Sequence, residues 1–340
     1  MHRIDTLKTE TFRHLTDQAR RIATVTHTHP DGDAAGSSIG MAEWLRSIGK
    51  EVYCFFPDPV PGTLRFMLAG EVGKGCVVFS EQPAEAARIL GTCDLVICLD
   101  FPALHRAEGM EEALSALTVP KVLIDHHVQP QADAFAVCFS ETEISSASEL
   151  VFQVLTAVGA ELPQTAANAL MTGMLTDTNN FSNSTYPSTL DMAARLMERG
   201  VNRDLILQSI NQNYEERRLR AMGFLLERMT VTPDGMAFMI LDAAARDRFG
   251  LEDGETEGFV NLPLSIRDVR MSIFLKEAEG HFRVSVRSKR GTSARRVAER
   301  YFHGGGHELA AGGKLFFPGD IPVPAEAAAY LETITDEKID

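Results

Sequence analysis

The sequence lacks closely spaced cysteine pairs and long apolar runs. Its 340 residues include 5 cysteines, none in a C-x-x-C pair, which argues against a structural zinc site. Most of these cysteines lie in apolar, strand-like runs, so we interpret them as reduced thiols of the core. Every apolar run is far shorter than the ~20 residues that span a bilayer. Residues 1–5 also lack the basic and then apolar layout of a signal peptide, and we therefore expect a cytoplasmic protein.

Positive charge is also scarce. The formal net charge is −14, and this acidic excess disfavours tracking along long nucleic acids, which bind through Lys and Arg. It still allows a short anionic ligand that meets bound metal ions and a local basic cluster. With 44% hydrophobic and 24% charged residues, the composition is typical of a soluble globular protein, and the length of 340 residues favours two domains.

Residues 1–190 alternate between apolar strand-like and helix-like segments. The strand-like segments are residues 21–26, 51–56, 94–99, 121–124 and 134–139, and the clearest helix follows Asp33. Continuous apolar strands separated by helices predict an α/β domain with a parallel sheet that helices cover on both faces. Ligands of such sheets bind outside the carboxyl ends of the strands.

The pattern changes after residue 190. Residues 188–229 look helical, with charged residues 214–220 on an exposed connector, and we predict a helical linker over residues 191–229. Two hairpins follow from residue 230, one around Thr232-Pro233-Asp234-Gly235 and one around Glu279-Gly280. Residues 230–340 are thus predicted to form a smaller α/β domain with a mixed sheet.

The first candidate motif is the loop after the first predicted strand, which contains His27, Asp31 and Asp33. This H-x-x-x-D-x-D spacing can turn one imidazole and two carboxylates into one cleft, and Gly32 permits a tight backbone. Close carboxylates repel each other unless cations neutralise them. An alternative is that Asp31-Gly32 is a turn and that Asp33 caps the following helix, and the motif alone leaves both interpretations open.

Two further strands end in polar residues. Asp100 ends one of them, and Asp125-His126-His127 ends the next. Adjacent histidines point in different directions, so one can bind a metal while the other faces substrate, and Asp125 can orient an imidazole. Taken singly, Asp100 could be a turn residue and the histidines could be exposed loop residues.

Asp177 completes the set and lies in Thr176-Asp177-Thr178, after a helix-like segment. Its alternative interpretation is a residue of the turn that ends this helix. Two imidazoles and four carboxylates suit a pair of Mn²⁺-like ions better than Ca²⁺ or thiolate-bound Zn²⁺. Two ions ~3.5–4 Å apart can generate a hydroxide and stabilise the leaving oxygen of a phosphoester. The set therefore predicts metal-dependent phosphoester hydrolysis, with these ligands: His27, Asp31, Asp33, Asp100, His126 and Asp177.

The C-terminal part contains a glycine run, Gly304-Gly305-Gly306, whose backbone N–H groups can approach an anion without side-chain clash. His307 follows this run, and Arg287-Ser288-Lys289-Arg290 ends an earlier strand-like segment. Such a local basic cluster in an acidic chain fits phosphate recognition. Three arginines of the next predicted helix are interpreted as a solvated face: Arg295, Arg296 and Arg300.

In series, these motifs resemble the DHH/DHHA1 phosphoesterase family over nearly the whole chain. They are HTHPDGDAAGSS, the strand ending in Asp100, IDHH, LTDT, VRS and GGGHELAAGG. Within the family, the chain resembles the small two-domain branch of NrnA-like nanoRNase and pAp phosphatase proteins, also called exopolyphosphatase-related. The resemblance implies a DHH metal-binding domain, a DHHA1 substrate-binding domain, and Mn²⁺-dependent hydrolysis. The implied reactions cleave short oligoribonucleotides to 5′-mononucleotides and pAp to AMP.

The resemblance also implies residue roles. One ion would be held by His27, Asp31 and Asp100, and the other by Asp33, Asp100, His126 and Asp177, with Asp100 bridging. His127 would contact the scissile phosphate, with Asp125 in support. The far phosphate or nucleotide of the substrate would be held by Arg287, Ser288, Gly304, Gly305, Gly306 and His307. Two Mn²⁺ ions are the expected cofactors, and Mg²⁺ or Co²⁺ also suits such ligands.

Several alternatives stay open at this level. The substrate could instead be a linear or cyclic dinucleotide or polyphosphate, and the chain could be a nucleotide-binding regulator without catalysis. Asn179-Asn180-Phe181 stands where many relatives have a glycine. Asn tolerates a left-handed backbone, while Phe181 could stack on a base or pack in the core. The sequence determines neither the base preference nor the oligomeric state, for which a homodimer is one option.

Overall fold

The structure is a computed structural model that describes residues 4–212, 214–252, 254–306 and 308–334. The chain divides into two compact units, residues 1–213 and 214–340. Among the described residues, no helix is both long and apolar enough to cross a membrane. The domain and linker boundaries expected at residues 190 and 230 stay a prediction.

A parallel sheet of six strands forms the centre of the first unit. Its strands are β1 Arg21–Val25, β2 Glu51–Phe56, β3 Cys76–Val78, β4 Leu95–Leu99, β5 Lys121–Asp125 and β6 Val137–Ser140. Neighbouring strands pair in parallel in the order β3-β2-β1-β4-β5-β6. The order runs outward in opposite directions from β1 and β4, which makes this pair the topological switch point of the sheet.

Helices cover this sheet on both faces because its strands are apolar on both sides. Ile97 of β4 belongs to one apolar layer, and its neighbours Val96 and Cys98 belong to the opposite layer. Such two-sided burial is typical of parallel strands, and the predicted α/β class is confirmed. The helices are α1 Thr6–Gln18, α2 Gly32–Ser47, α3 Pro83–Leu90, α4 Glu111–Ala116, α5 Ala147–Ala157, α6 Gln164–Asp177, α7 Pro187–Glu198 and α8 Arg203–Asn211. Short 3-10 helices lie at Gly62–Leu68, Leu104–Met110 and Ala132–Ala134.

The segment expected to be a helical linker packs into both units. Leu196 of α7 and Ile206 of α8 are part of the core of the first unit. The next helix, α9 Glu216–Glu227, belongs to the second unit, where its Leu225 is buried. These helices therefore contribute to the two cores as well as connecting them.

The expectation of an exposed connector over residues 214–220 is wrong at Arg218, which is only 7% exposed. Its guanidinium lies over the rings of Tyr214 and Phe259, with Cζ 3.7 and 4.8 Å from their centroids. Its Nη2 donates to the carbonyl oxygen of Glu257 at 2.7 Å. Cation–π contacts and this hydrogen bond compensate the burial of the charge, which a charged sequence pattern does not reveal.

A mixed sheet of six strands forms the centre of the second unit, as predicted. Its strands are β7 Thr230–Val231, β8 Met236–Leu241, β9 Met271–Ala278, β10 His281–Ser288, β11 Gly305–Gly306 and β12 Ala310–Phe316. The order is β11-β12-β10-β9-β8-β7, in which β8 and β9 pair in parallel and the others are antiparallel. The predicted hairpin turns join β7 to β8 and β9 to β10. Its other helices are α10 Ala243–Phe249, α11 Ala294–Tyr301 and α12 Ala327–Glu332, with 3-10 helices at Phe259–Ser265 and Pro324–Glu326.

The cysteines agree with their interpretation as core thiols. None is in a disulfide. The buried cysteines are Cys54, Cys93 and Cys98, and the half-buried ones are Cys76 and Cys138.

Candidate active site

The switch point of the first sheet gathers the candidate residues at the carboxyl edge of the strands. His27 lies just beyond β1, Asp100 follows β4, and Asp125 is the last residue of β5. Because β1, β4 and β5 are neighbours and run in parallel, their C-terminal ends lie side by side. This edge therefore brings together donors that are far apart in the sequence.

The first group of donors is His27, Asp31 and Asp100, whose ligand atoms lie within 4.8 Å of one another. Nε2 of His27 is 3.4 Å from Oδ2 of Asp100 and 4.0 Å from Oδ1 of Asp31. Asp31 also begins α2 as its N-cap, since its Oδ1 accepts from the backbone N–H groups of Asp33 and Ala34 at 3.0 Å each. The residue that caps α2 is thus Asp31 and not Asp33, which corrects the alternative interpretation of this loop.

The second group of donors is Asp33, His126 and Asp177, again within 4.8 Å. Nε2 of His126 is 3.9 Å from Oδ2 of Asp33 and 3.8 Å from Oδ2 of Asp177, the last residue of α6. Asp33 is buried, and its carboxylate accepts the first N–H groups of α5, from Ala147 at 2.6 Å and Ser148 at 2.9 Å. The N-terminus of α5 therefore fixes the orientation of this carboxylate and attracts its negative charge.

Asp100 joins the two groups. It is only 2% exposed, and its Oδ1 lies 3.3 Å from Nε2 of His126 while its Oδ2 faces His27. Within the described part of the chain, this buried Oδ1 accepts no hydrogen bond. The backbone of Asp100 is left-handed, with φ 65°, which is uncommon for a residue other than glycine. A buried oxygen without a donor suits a cation ligand, and strained backbones are common at functional sites.

The hydrogen bond of His27 shows that the first group suits a cation. Its Nδ1 lies 2.7 Å from the carbonyl oxygen of Thr28, and because a carbonyl only accepts, this nitrogen carries the proton. Nε2 of a neutral His27 then presents its lone pair to the carboxylates of Asp31 and Asp100. That arrangement is unfavourable unless a cation lies between these atoms or His27 takes up a second proton.

The charges of the buried cluster point the same way. Burial raises the pKa of Asp33 to about 7, helped by Asp100, and burial raises the pKa of Asp177 well above its ordinary value. Burial lowers the pKa of each imidazole, but contacts with Asp100 outweigh it and raise the pKa of His27 to about 9 and that of His126 to about 10. Burial also raises the pKa of Asp100, but the two imidazoles prevail and hold that pKa below its ordinary value. Divalent cations replace protons in such a cluster, because they neutralise carboxylates and bind neutral imidazoles.

Asp125 and His127 form a pair beside the two groups. Oδ1 of Asp125 accepts from Nδ1 of His127 at 2.7 Å, and Oδ2 accepts the backbone N–H of His127 at 3.1 Å. Asp125 is fully buried, so this contact fixes the tautomer and the orientation of the ring. The ring of His127 is turned by 68° from that of His126, with 4.7 Å between the centroids. The adjacent histidines therefore have different directions, as their sequence pattern predicted.

Close packing of α2 against α6 carries Asp33 and Asp177 to the same place. A Cβ added to Gly36 would lie 2.7 Å from the carbonyl oxygen of Ala169 and from Cα of Gly173, so the two backbones touch. Only glycine permits this approach. The sequence signal of this contact is an i, i+4 glycine stripe that the motif-based prediction missed: Gly32, Gly36 and Gly40.

A second residue that the motifs missed is Asp58. It follows β2 at the same carboxyl edge, and its Oδ2 accepts hydrogen bonds from Thr28 and His29 in the loop after β1. The available signal was its place after a predicted strand, which it shares with Asp100.

The candidate substrate residues of the second unit lie at one end of its sheet. Arg287 pairs with Ala310 at the start of β12, and Gly306 pairs with Ala311 on the other side of this strand. Nη1 of Arg287 donates to the carbonyl oxygens of Val286 at 3.0 Å and of Ala311 at 3.4 Å. Burial lowers the pKa of Arg287, so an anion would be a favourable partner. As predicted, three further arginines are exposed on α11: Arg295, Arg296 and Arg300.

Part of the predicted phosphate loop serves the sheet itself. Oγ of Ser288 donates to the carbonyl oxygen of Thr292 at 2.7 Å. The N–H of Gly304 donates to the carbonyl oxygen of Ala298 at 3.1 Å. These two donors are therefore already satisfied within the unit. His307 lies outside the described residues, so its predicted contact with substrate stays a prediction.

The departure after Thr176-Asp177-Thr178 is accommodated by the backbone. Asn179, Asn180 and Phe181 are all left-handed, with φ of 46°, 56° and 64°. Phe181 packs half-buried against the core of the first unit, and the guanidinium of Arg203 lies 5.8 Å from its ring centroid. Of the two interpretations of Phe181, the structure thus favours a core aromatic.

Comparison with known proteins identifies the family. Residues 21–174 match the sequence model of the DHH family, N-terminal domain, and residues 236–323 match that of the DHHA1 domain. The chain belongs to the DHH/DHHA1 family. The resemblance found in the sequence is confirmed, and so is the expectation of a hydrolytic enzyme of the phosphoesterase type.

Named relatives of this DHH/DHHA1 protein include two kinds of phosphoesterase. It is 29% identical over 303 residues to the bifunctional oligoribonuclease and PAP phosphatase NrnA of Thermus thermophilus. The aligned region covers 85% of this chain and 82% of that protein. It is 25% identical over 342 residues to the cyclic-di-AMP phosphodiesterase GdpP of Geobacillus thermodenitrificans. This aligned region covers 96% of this chain and 49% of that protein.

Among solved structures, an exopolyphosphatase-related protein from Bacteroides fragilis has the same fold. It is 34% identical, with a TM-score of 0.91, and the match covers 98% of this chain and 96% of that chain. Each unit therefore has the fold found in a solved protein of similar size.

Proposed function

We propose that this protein is a Mn²⁺-dependent phosphoesterase that hydrolyses short oligoribonucleotides to 5′-mononucleotides and pAp to AMP. The observation that carries the proposal is the donor set, in which two groups of imidazole and carboxylate atoms meet at Asp100. The NrnA relative is named for both of these activities. The acidic chain supports short substrates over long nucleic acids.

In this proposal the first group holds one divalent ion and the second group holds another, with Asp100 shared. Bound divalent ions supply Lewis acidity at the phosphoryl group and activate a water as nucleophile. Asp31 and Asp33 are held for this task by different helix N-termini, those of α2 and α5. The ligand preferences of Mg²⁺ and Co²⁺ overlap with those of Mn²⁺. The donor set alone therefore does not select Mn²⁺, and the dependence on Mn²⁺ belongs to the proposal.

Nε2 of His127 is the proposed partner of the scissile phosphate. Because Asp125 accepts from Nδ1, the imidazole keeps one orientation, and its protonated form donates Nε2–H to a phosphate oxygen. The resulting contact counters the charge that develops on the phosphoryl group.

The second unit is proposed to hold the far phosphate or nucleotide. The half-buried guanidinium of Arg287 supports this role, because burial lowers its pKa and a bound anion would stabilise its charge. The other residues of this proposal are Ser288, Gly304, Gly305, Gly306 and His307.

The test is turnover of pAp and of the dinucleotide pApA with and without Mn²⁺. We expect Asp100→Ala and His127→Ala to lower both activities by about 10²- to 10⁴-fold, because each removes a group that meets the reacting phosphate or its ions. Asp133→Ala, at an exposed aspartate of a 3-10 helix, is the matched control and should keep wild-type rates.

Each contrary result has a distinct meaning. Wild-type protein that leaves both substrates intact in Mn²⁺ would overturn the proposal, and tight nucleotide binding in that experiment would indicate a regulator without catalysis. Activity that survives Asp100→Ala would show that the metal assignment is wrong. Cleavage of pApA alone would remove pAp from the substrates and keep the phosphodiesterase.

A second candidate function is hydrolysis of cyclic dinucleotides, which the similarity to GdpP favours. The same assay with cyclic di-AMP and with polyphosphate decides between these substrates. A kcat/KM for cyclic di-AMP above those for pApA and pAp would make it the preferred substrate, and the metal site would be unchanged.

A further inference from the structure

Asp58, a carboxylate outside the donor groups, contacts the loop after β1 that contains His27 and Asp31. Asp58 lies after β2, and its Oδ2 accepts three hydrogen bonds: from the hydroxyl of Thr28, from the backbone N–H of His29 at 2.9 Å and from Nδ1 of His29 at 2.8 Å. One oxygen thus binds two consecutive residues of the loop after β1. We call these two residues, Thr28-His29, the tied dipeptide. His27 precedes it, and Asp31 follows it after Pro30.

The tied dipeptide has a conformation that it would not adopt readily by itself. His29 is left-handed, with φ 52°, and it precedes Pro30, where steric contacts restrict the backbone further. Strained residues of this kind persist only where surrounding contacts hold them. The contacts here are those with Asp58 and a bond from the N–H of Thr28 to the carbonyl oxygen of Arg106 at 2.9 Å.

The same dipeptide determines the direction of His27. The carbonyl oxygen of Thr28 accepts from Nδ1 of His27 at 2.7 Å, and this bond turns Nε2 toward Asp100. A rotation of the Thr28-His29 peptide would therefore move the acceptor that fixes the imidazole. The rigid φ of Pro30 also couples this peptide to Asp31, which begins α2 through its cap contacts with Asp33 and Ala34.

We propose that Asp58 is a positioning residue of the metal site, which holds the Thr28-His29 turn so that His27 and Asp31 reach Asp100. The inference rests on the metal site of the proposed function. A related contact occurs at a second place, where one oxygen of Asp125 accepts from Nδ1 of His127 and the other accepts from its backbone N–H. Near Asp58 the contact orients a loop, whereas near Asp125 it orients a ring.

The test measures Mn²⁺ binding without any substrate, from the EPR signal of free Mn²⁺ during titration of the whole chain. We expect Asp58→Ala to bind Mn²⁺ about 10- to 100-fold more weakly than wild type, the usual effect of losing a partner that orients metal ligands. Asp58→Asn should recover part of this loss, because its amide oxygen can accept the same three donors. The Tm without metal should stay close to wild type, while the rise in Tm on adding Mn²⁺ shrinks.

Asp94→Ala is the matched control. The carboxylate of Asp94 also accepts backbone N–H groups, from Arg20 and Arg21, but at the opposite end of β1. Its loss should leave Mn²⁺ affinity unchanged. A purely structural role of Asp58 would lower the Tm without metal and leave Mn²⁺ affinity at the wild-type value, and this result would overturn the inference.

If Asp58→Ala does not fold, the double variant Thr28→Val/His29→Ala takes its place. It keeps the carboxylate and removes two of its three donors, so Mn²⁺ binding should be about 3- to 10-fold weaker. Wild-type affinity in this variant would contradict the inference. Failure of the wild-type protein to bind Mn²⁺ would instead contradict the proposed function, so the two failures are distinguishable.

Discussion

At the scale of single residues, two imidazoles of the site have Nδ1 atoms that are already engaged. Nδ1 of His27 bonds to a carbonyl oxygen, whereas Nδ1 of His127 bonds to a carboxylate. Each acceptor fixes a tautomer and a ring orientation, and it selects Nε2 as the nitrogen for a cation or a phosphate. The chemistry of the site therefore depends on acceptors that are not ligands themselves.

Asp125→Asn tests this dependence at the residue scale. We expect kcat for pAp to fall about 10- to 100-fold, because the amide holds Nδ1–H of His127 more weakly than the carboxylate does. Mn²⁺ affinity should remain that of wild type, since Asp125 is not among the proposed ligands. Steady-state kinetics and Mn²⁺ titration measure the two quantities.

The control for this variant is Asp133→Asn, at an exposed aspartate. Unchanged kcat in Asp125→Asn would show that His127 needs no carboxylate. A loss of Mn²⁺ affinity would place Asp125 among the ligands.

At the scale of elements, the helices matter as much as the sheet. The carboxyl edge of the sheet supplies His27, Asp100 and His126, but Asp33 and Asp177 come from helices. Their meeting depends on the contact between α2 and α6, which glycines allow. A helix of ordinary composition would hold these two carboxylates farther apart.

Gly36→Ala should disturb this contact. The new Cβ would lie 2.7 Å from backbone atoms of α6, so the helices must separate, at a cost of about 1–3 kcal/mol in the free energy of unfolding. Because Asp33 and Asp177 move apart with them, Mn²⁺ affinity should fall as well. Urea unfolding and Mn²⁺ titration check the two effects.

Gly223→Ala serves as the comparison, since a Cβ at this helical glycine of α9 meets no atom within 4 Å. It should stabilise the protein slightly, by about 0.5–1 kcal/mol, and leave Mn²⁺ affinity alone. A neutral Gly36→Ala would show that α2 and α6 can separate without cost.

In the second unit, the buried Arg218 of α9 contacts Tyr214, Phe259 and Glu257. Arg218→Ala removes the ring contacts and the hydrogen bond to the carbonyl oxygen of Glu257. We expect a loss of about 1–3 kcal/mol in the free energy of unfolding of this unit, measured by urea denaturation. Arg220→Ala, which loses only an exposed ion pair with Glu216, should change it by less than about 0.5 kcal/mol. Equal effects of the two variants would show that the buried contacts of Arg218 add no stability.

At the scale of the whole molecule, the two units have separate cores. The apolar clusters of residues 4–212 contain no residue of the second unit, and those of residues 214–334 contain none of the first. All proposed metal ligands belong to the first unit. Metal binding should therefore stabilise one unit directly.

Calorimetry with and without a chelator tests this expectation. Free Mn²⁺ at 100 times its Kd should stabilise the first unit by about 2.7 kcal/mol for each ion bound, because it binds the folded form and replaces the protons of a buried acidic cluster. The transition of the second unit should keep its temperature. Asp100→Ala is the control and should show no Mn²⁺-dependent shift. A shift of both transitions by the same amount would mean that the units unfold together.

The sequence by itself indicated five of the six strands of the first sheet and the residue types of the candidate ligands. Apolar runs predicted these five strands within a few residues, since burial on both faces of a parallel sheet demands continuous apolar side chains, but they missed the short strand β3. The order of the motifs along the chain was sufficient to recognise the DHH/DHHA1 family. Residue type also limited the candidate metals, because His and Asp differ from Cys in the cations that they prefer.

Only the tertiary structure decided which of these groups meet and what holds them. Asp33 binds the N-terminus of α5, and Asp58 holds the loop after β1, through contacts between residues that are far apart in the chain. Asp33 and Ala147 are far apart in the chain, and local periodicity contains no information about such a pair. The burial of Arg218 likewise follows from rings that pack around it in three dimensions, which a pattern of charges cannot indicate.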